Sequence, residues 1–186
     1  MHPALVEPER LTVKDYRATP EGTRYQLIEG DLYLMSPAPN RLHQIIVLNI
    51  AEMLRTFLRR CPVGEVYVSP IDVYLDDNNV VQPDVVFVST ARRSVLTDDG
   101  MHGAPDLVVE VLSPSTTQLD KTMKRRVYVR TGVKEMWLVD PLLQQIHIYD
   151  FARSPAKAVR LVEDDETFGS ALLPGLTVSA AEVFKR

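Results

Sequence analysis

The sequence predicts an α/β (α+β) domain with a mixed central β-sheet flanked by helices. Strand-sized apolar runs outnumber helical stretches, and helices separate groups of strands, so helices packed on a single mixed sheet are the natural solution. The run Asp106-Leu107-Val108-Val109-Glu110-Val111-Leu112 is nearly continuous in apolar residues, as expected of a central strand covered on both faces. A chain of 186 residues with 45% hydrophobic and 25% charged side chains matches one folded domain over 1–186, with 1–10 as an N-terminal tail. No repeat of roughly 20–50 residues is visible, and the length suffices to bury a core without staples.

The elements follow in order. Thr12, with Asp15 three residues on, caps a short helix that ends at Pro20-Glu21-Gly22. Tyr25-Gln26-Leu27-Ile28 and Asp31-Leu32-Tyr33-Leu34-Met35 flank Glu29-Gly30 and read as a β-hairpin. Residues 36–40 form a loop whose Asn40 caps the next helix. Over 41–60, Leu42, Ile45, Ile46, Asn49, Ile50, Met53, Leu54 and Phe57 recur at helical spacing, and Pro62 and Gly64 stop the helix. Strands follow at 66–68 and 71–75, then a turn at Asp76-Asp77-Asn78-Asn79, then a strand over 80–88 interrupted by Pro83-Asp84. A polar loop over 89–103 leads into the central strand. Residues 113–117 supply helix-start chemistry for a helix running to Thr131, with Gly132 at its stop. Strands at 135–139 and 145–149 meet at Asp140-Pro141. The tail adds 159–162, an acidic turn over 163–166 and a closing segment through Val178.

The lone Cys61 cannot form an internal disulfide and fits a reducing, cytoplasmic setting. The first residues lack a basic start and a sustained apolar core, so no signal peptide is expected, and no apolar run is long enough to span a membrane. The formal net charge is −4, which argues against a sequence-independent nucleic-acid binder. The average conceals a segregation. Residues 120–135 hold six basic side chains (Lys121, Lys124, Arg125, Arg126, Arg130, Lys134) against Asp120 and Glu135, a net of +4. The remaining 15 basic and 23 acidic residues give −8.

Three residues carry the chemistry. Glu110 sits mid-strand with Val108 and Leu112 on its own face, and a lone buried carboxylate costs several kcal/mol unless it is paired, protonated or bound to a metal. An edge strand with Glu110 in water is the alternative. Asp84 is a second charge among apolar residues, next to a proline that frays or bulges the strand; it could equally close a turn. Lys124 is the third. On a helical projection from Asp120 it falls at about 40°, between Val127 at about 340° and Tyr128 at about 80°, in the core-facing sector. Snorkelling along the helix edge is the other reading. Two carboxylates in neighbouring strands suit Mg²⁺ or Mn²⁺, whereas zinc would want His or Cys. A lysine beside them would stabilise charge or orient a nucleophile.

Pro83-Asp84, Glu110-Val111-Leu112 and the displaced Lys124 resemble the PD-(D/E)xK nuclease superfamily. Within it the chain is similar to the Uma group of restriction-endonuclease-like bacterial proteins. The likeness runs from about residue 11 onward through Tyr25–Gly30, Met35-Ser36-Pro37, His43-Gln44, Val81-Gln82-Pro83-Asp84, the run 104–116, Asp120, Lys124, Tyr128 and Trp137-Leu138-Val139-Asp140. It implies a restriction-endonuclease-like core and a Mg²⁺- or Mn²⁺-dependent DNA endonuclease. Asp84 and Glu110 would be metal ligands, the Val111 carbonyl a third, and Lys124 the catalytic lysine. Leu112 occupies the superfamily's lysine position, and the group's pattern moves that lysine to the helix. Gln26 stands where the group usually has Glu, so one acidic ligand or base is missing. His43 and Tyr128 would lie near the site, although His43 alone reads equally as a capping or surface residue. Lys121, Arg125 and Arg126 are the candidates for DNA-backbone contact. Cleaving both strands would need two sites, which a homodimer would supply. A DNA-binding or regulatory module that keeps the fold without turnover, and a phosphoesterase acting on RNA or a small ester, are the competing functions.

Other signals carry less. His102 and His147 have no companions at metal spacing, and Asp76-Asp77-Asn78-Asn79 lacks the glycine and distal Glu of a calcium loop. Residues 163–166 read as a solvated turn, and Ser113 and Ser115 lack a His/Asp companion. There is no P-loop and no dinucleotide fingerprint.

Overall fold

The structure, a computed structural model, describes residues 10–20, 22–35, 40–113 and 119–186. The tail over 1–9, loop residues 36–39 and the expected helix start at 114–118 lie outside the described residues. Thr12 opens α1 (Val13–Arg17), its N–H and hydroxyl both donating to Asp15 Oδ2 at 2.8 Å. β1 (Tyr25–Ile28) and β2 (Asp31–Leu34) form the hairpin. Its turn residues Glu29 and Gly30 have φ of 53° and 84°, the doubly positive turn that matches strand twist. A Cβ on Gly30 would stand 2.6 Å from Arg10 Cβ, so glycine is required there twice over.

Asn40 Oδ1 accepts the His43 N–H at 2.9 Å and starts α2 (Arg41–Arg60), which ends at Cys61. β3 (Gly64–Val68), β4 (Val73–Asp76), β5 (Asn79–Val81) and β6 (Val85–Ser89) follow. The 89–103 segment is not a plain loop. It holds a 3₁₀ turn over Thr90–Val95 and two short strands, β7 (Leu96–Thr97) and β8 (Gly100–His102). Their few apolar residues give too short a period to read from sequence. β9 (Leu107–Val111) is fully buried. The next helix begins with a π-helical turn over Leu119–Lys124 and becomes α3 over Arg125–Thr131, closed by Gly132 at φ 93°. β10 (Glu135–Asp140), β11 (Gln145–Asp150), β12 (Arg160–Val162), β13 (Thr167–Ser170) and β14 (Leu173–Ser179) complete the strands. α4 (Ala180–Phe184) was too short to show a period in the sequence.

The α/β class with mixed sheets and flanking helices holds, but the strands divide between two six-stranded sheets and a separate β13–β14 ladder. The first sheet runs β2-β1-β5-β4-β8-β7, the second β12-β11-β10-β9-β6-β3. Each contains one parallel pair, β4·β8 and β9·β10. The division falls at Pro83-Asp84. The 80–88 run is two strands, β5 in the first sheet and β6 in the second, because Pro83 cannot continue a ladder.

Alternation along β9 sets the layers. Leu107, Val109 and Val111 pack with Ile46, Ile50, Leu54 and Phe57 of α2. Val108 and Leu112 face the other way, into a core shared by α3 and the first sheet through Val127, Tyr128, Val73, Val81 and Met101. Each fully buried aliphatic side chain contributes about 1.5–3 kcal/mol, which fixes the two faces and hence the strand register. Among the described residues no helix is long and apolar enough to cross a membrane.

Candidate active site

Glu110 occupies the α3-facing side of β9, the position of a core residue, with 2% of its surface exposed. It is not an edge residue, because β6 and β10 pair on either side. Its charge is met from the end of the π-turn and from α3. Lys124 Nζ lies 3.1 and 3.2 Å from the two carboxylate oxygens, and the Tyr128 hydroxyl donates to Oε1 at 2.5 Å. Lys124 is itself 2% exposed, so it does not snorkel. Lys124 and Tyr128 are four residues apart, which stacks them on one helix face above Glu110. Lys124 is the last residue of the π-turn and caps α3, so the stretch from it to Tyr128 is α-helical.

Asp84 lies one residue beyond the β6–β9 ladder. Val85 pairs with Val109 and Val86 with Val108, so the same register puts Asp84 opposite Glu110. The chain bends there, and Asp84 Oδ2 accepts the Val111 N–H at 2.8 Å. The Asp therefore caps the end of β9 with its side chain instead of its backbone. His43, buried in the first turn of α2, brings Nε2 to 3.3 Å from the same oxygen. Its ring turns inward, while its backbone N–H is the group that Asn40 caps. The Asp84 main chain is anchored separately, its carbonyl accepting from Ser69 N at 3.0 Å.

Gln26 is 3% exposed on β1, and its Oε1 accepts the Gln82 N–H at 3.1 Å. The basic run is engaged within the chain. Arg126 makes a bidentate pair with Glu29, and Arg130 reaches Asp76 at 3.3 Å. Arg125 donates to the Lys121 and Ala156 carbonyls and lies over the Tyr149 ring at 5.4 Å. The +4 segment thus docks α3 onto acidic turns of the first sheet. Lys121 is half-buried near His147, whose pKa is pushed down by burial and by that lysine.

Two residues around the site had no signal in the sequence beyond lying beside marked positions. Asp72 accepts from Tyr16, Tyr74 and Gln82, at 3.0, 3.4 and 2.7 Å. Burial, with the Asp72 carboxylate next, pushes the Tyr16 phenol above its ordinary range, so it stays a proton donor. Gln82 is that network's link to Asp84.

The candidate donors to a divalent cation are hard oxygens: the carboxylates of Asp84 and Glu110, which the strand register sets opposite one another, and the Val111 main chain. A strand residue's N–H and C=O leave on the same edge, so the Val111 carbonyl is on the Asp84 side. That set suits Mg²⁺ or Mn²⁺. Among the described residues no group of three or more His, Cys, Asp or Glu gathers to hold a metal ion.

The sequence profile of a family described as "Uma2: Putative restriction endonuclease" matches residues 13–181. Among solved structures, the fold is similar to a crystal structure described as a "putative nuclease belonging to DUF820" from Anabaena variabilis. The TM-score is 0.77 at 19% identity, covering 94% of this chain and 97% of that one, a likeness of fold. No curated protein matches.

Proposed function

This chain belongs to the Uma2 family, whose description reads "Putative restriction endonuclease", and from that membership we propose that it is a divalent-metal-dependent DNA endonuclease. The observation that carries the reading is the facing pair Asp84 and Glu110 at the open end of β6 and β9, with Lys124 on Glu110. Asp84, Glu110 and the Val111 carbonyl would hold Mg²⁺ or Mn²⁺. Such an ion polarises a phosphodiester and lowers the pKa of its bound water. The chain's own groups do the rest. Tyr128 fixes the Glu110 rotamer through Oε1, and His43 with the Val111 N–H fixes Asp84. Lys124 keeps a positive charge where charge develops on the phosphate. Lys121, Arg125 and Arg126 flank the site as backbone contacts, with Arg126 holding Glu29 while keeping 65% of its side chain exposed. Double-strand cleavage calls for two such sites, hence a homodimer on DNA.

Nicking of supercoiled plasmid in Mg²⁺ or Mn²⁺ tests the reading. Wild type is expected to nick, and Glu110→Gln to lose most of that activity. No nicking by wild type, or equal nicking by the variant, overturns it. One observation favours a second reading, a DNA-binding module without turnover: Gln26, neutral, spends its side-chain oxygen on a main-chain N–H. Retarded DNA mobility without metal-dependent nicking would select that reading.

A further inference from the structure

Asp84 is held on one side by β9 and α2. The chain reaches it from the other sheet through only two residues, Gln82 and Pro83. Gln82 is clamped at three atoms. Its Nε2 donates to Asp72 Oδ1 at 2.7 Å, its Oε1 accepts from Arg24 at 2.8 Å, and its main-chain N–H donates to Gln26 at 3.1 Å. Pro83 has a fixed φ and is buried, so little torsional freedom separates the Gln82 clamp from the Asp84 carboxylate. Asp72 is in turn fixed by hydroxyls from α1 and β4, Tyr16 at 3.0 Å and Tyr74 at 3.4 Å. The first sheet therefore has a rigid hand on the segment that sets the position of Asp84.

We infer that Asp72 is a positioning residue for the Asp84 arm of the cation site, acting through the Gln82 side chain. The inference rests on the metal reading above. Outer partners of metal ligands orient them, and losing one costs about 10–100-fold in affinity. Asp72→Ala removes the acceptor of Gln82 Nε2 and breaks the link. Asp72→Asn keeps one oxygen at Oδ1 for the same hydrogen bond. Tyr16→Phe removes a different donor to Asp72 and leaves the Gln82 link in place.

The test is Mn²⁺ titration of the purified proteins by electron paramagnetic resonance, with thermal melting alongside. The expected result is about ten-fold weaker Mn²⁺ binding in Asp72→Ala, and near-wild-type binding in Asp72→Asn and Tyr16→Phe. Should Asp72→Ala fail to fold, Gln82→Met severs the same bond and is read by the same criterion. Equal affinity in wild type and Asp72→Ala overturns the positioning role while leaving the metal reading intact. An equal loss in Tyr16→Phe also overturns it, since the effect would then be general loosening. No Mn²⁺ bound by wild type overturns the metal reading itself, and this inference with it.

Discussion

Lys124 and Glu110 exchange the hydration of two full charges for each other and for the Tyr128 hydroxyl. Such a pair gives little net stability, but breaking it strands a charge in the core. Lys124→Met should therefore cost about 3–5 kcal/mol, and adding Glu110→Gln should recover much of that; urea denaturation of the single and double variants measures both. A single variant as stable as wild type would mean that water reaches Glu110. Glu110 and Asp84 were legible in the sequence because each is a charge in an apolar run. Lys124 was legible because it shares a helix face with Val127 and Tyr128. His43 was marked only through the family resemblance, and Asp72 and Gln82 were not marked as site residues. Their partners lie 41, 10 and 10 residues away in sequence, on elements whose contact depends on how α2 and the two sheets pack.

At the scale of elements, β10 shows how a buried acid ties layers together. Glu135 accepts from Trp137 Nε1 at 2.6 Å and from the Ser170 hydroxyl of β13 at 2.9 Å. Burial raises its pKa despite those donors. A raised native pKa means a contribution present below the unfolded value and lost as pH rises through the folded one. Glu135→Gln keeps a shape that accepts from Trp137 and donates to Ser170, but does not titrate. The stability of Glu135→Gln relative to wild type should therefore rise between pH 5 and pH 8 in denaturant titrations. A difference independent of pH would show that Glu135 does not titrate differently on folding. Long amphipathic elements such as α2 were readable to the residue, because capping by Asn40 and a helical period sustained over 20 residues leave little choice. The π-turn before α3, and the short β7, β8 and α4, were not, because six residues or fewer show no clear period.

Over the whole molecule, Pro83-Asp84 is the organising feature. It ends one sheet and begins the next, and it puts a carboxylate at that junction opposite Glu110. The sequence pattern shows the interruption, but an interrupted strand and a crossover between sheets look alike in a linear chain. The charge pattern has a similar history. The +4 segment marked α3 as a DNA face, yet much of its charge is spent on Glu29, Asp76 and Glu110, which hold α3 between the sheet and the site. The most direct measurement is a crystal soaked in Mn²⁺ and its anomalous difference map. The account predicts one peak between the Asp84 and Glu110 carboxylates, within coordination distance of the Val111 carbonyl oxygen. A protein that nicks DNA in Mn²⁺ while its bound ion lies away from both carboxylates would contradict it.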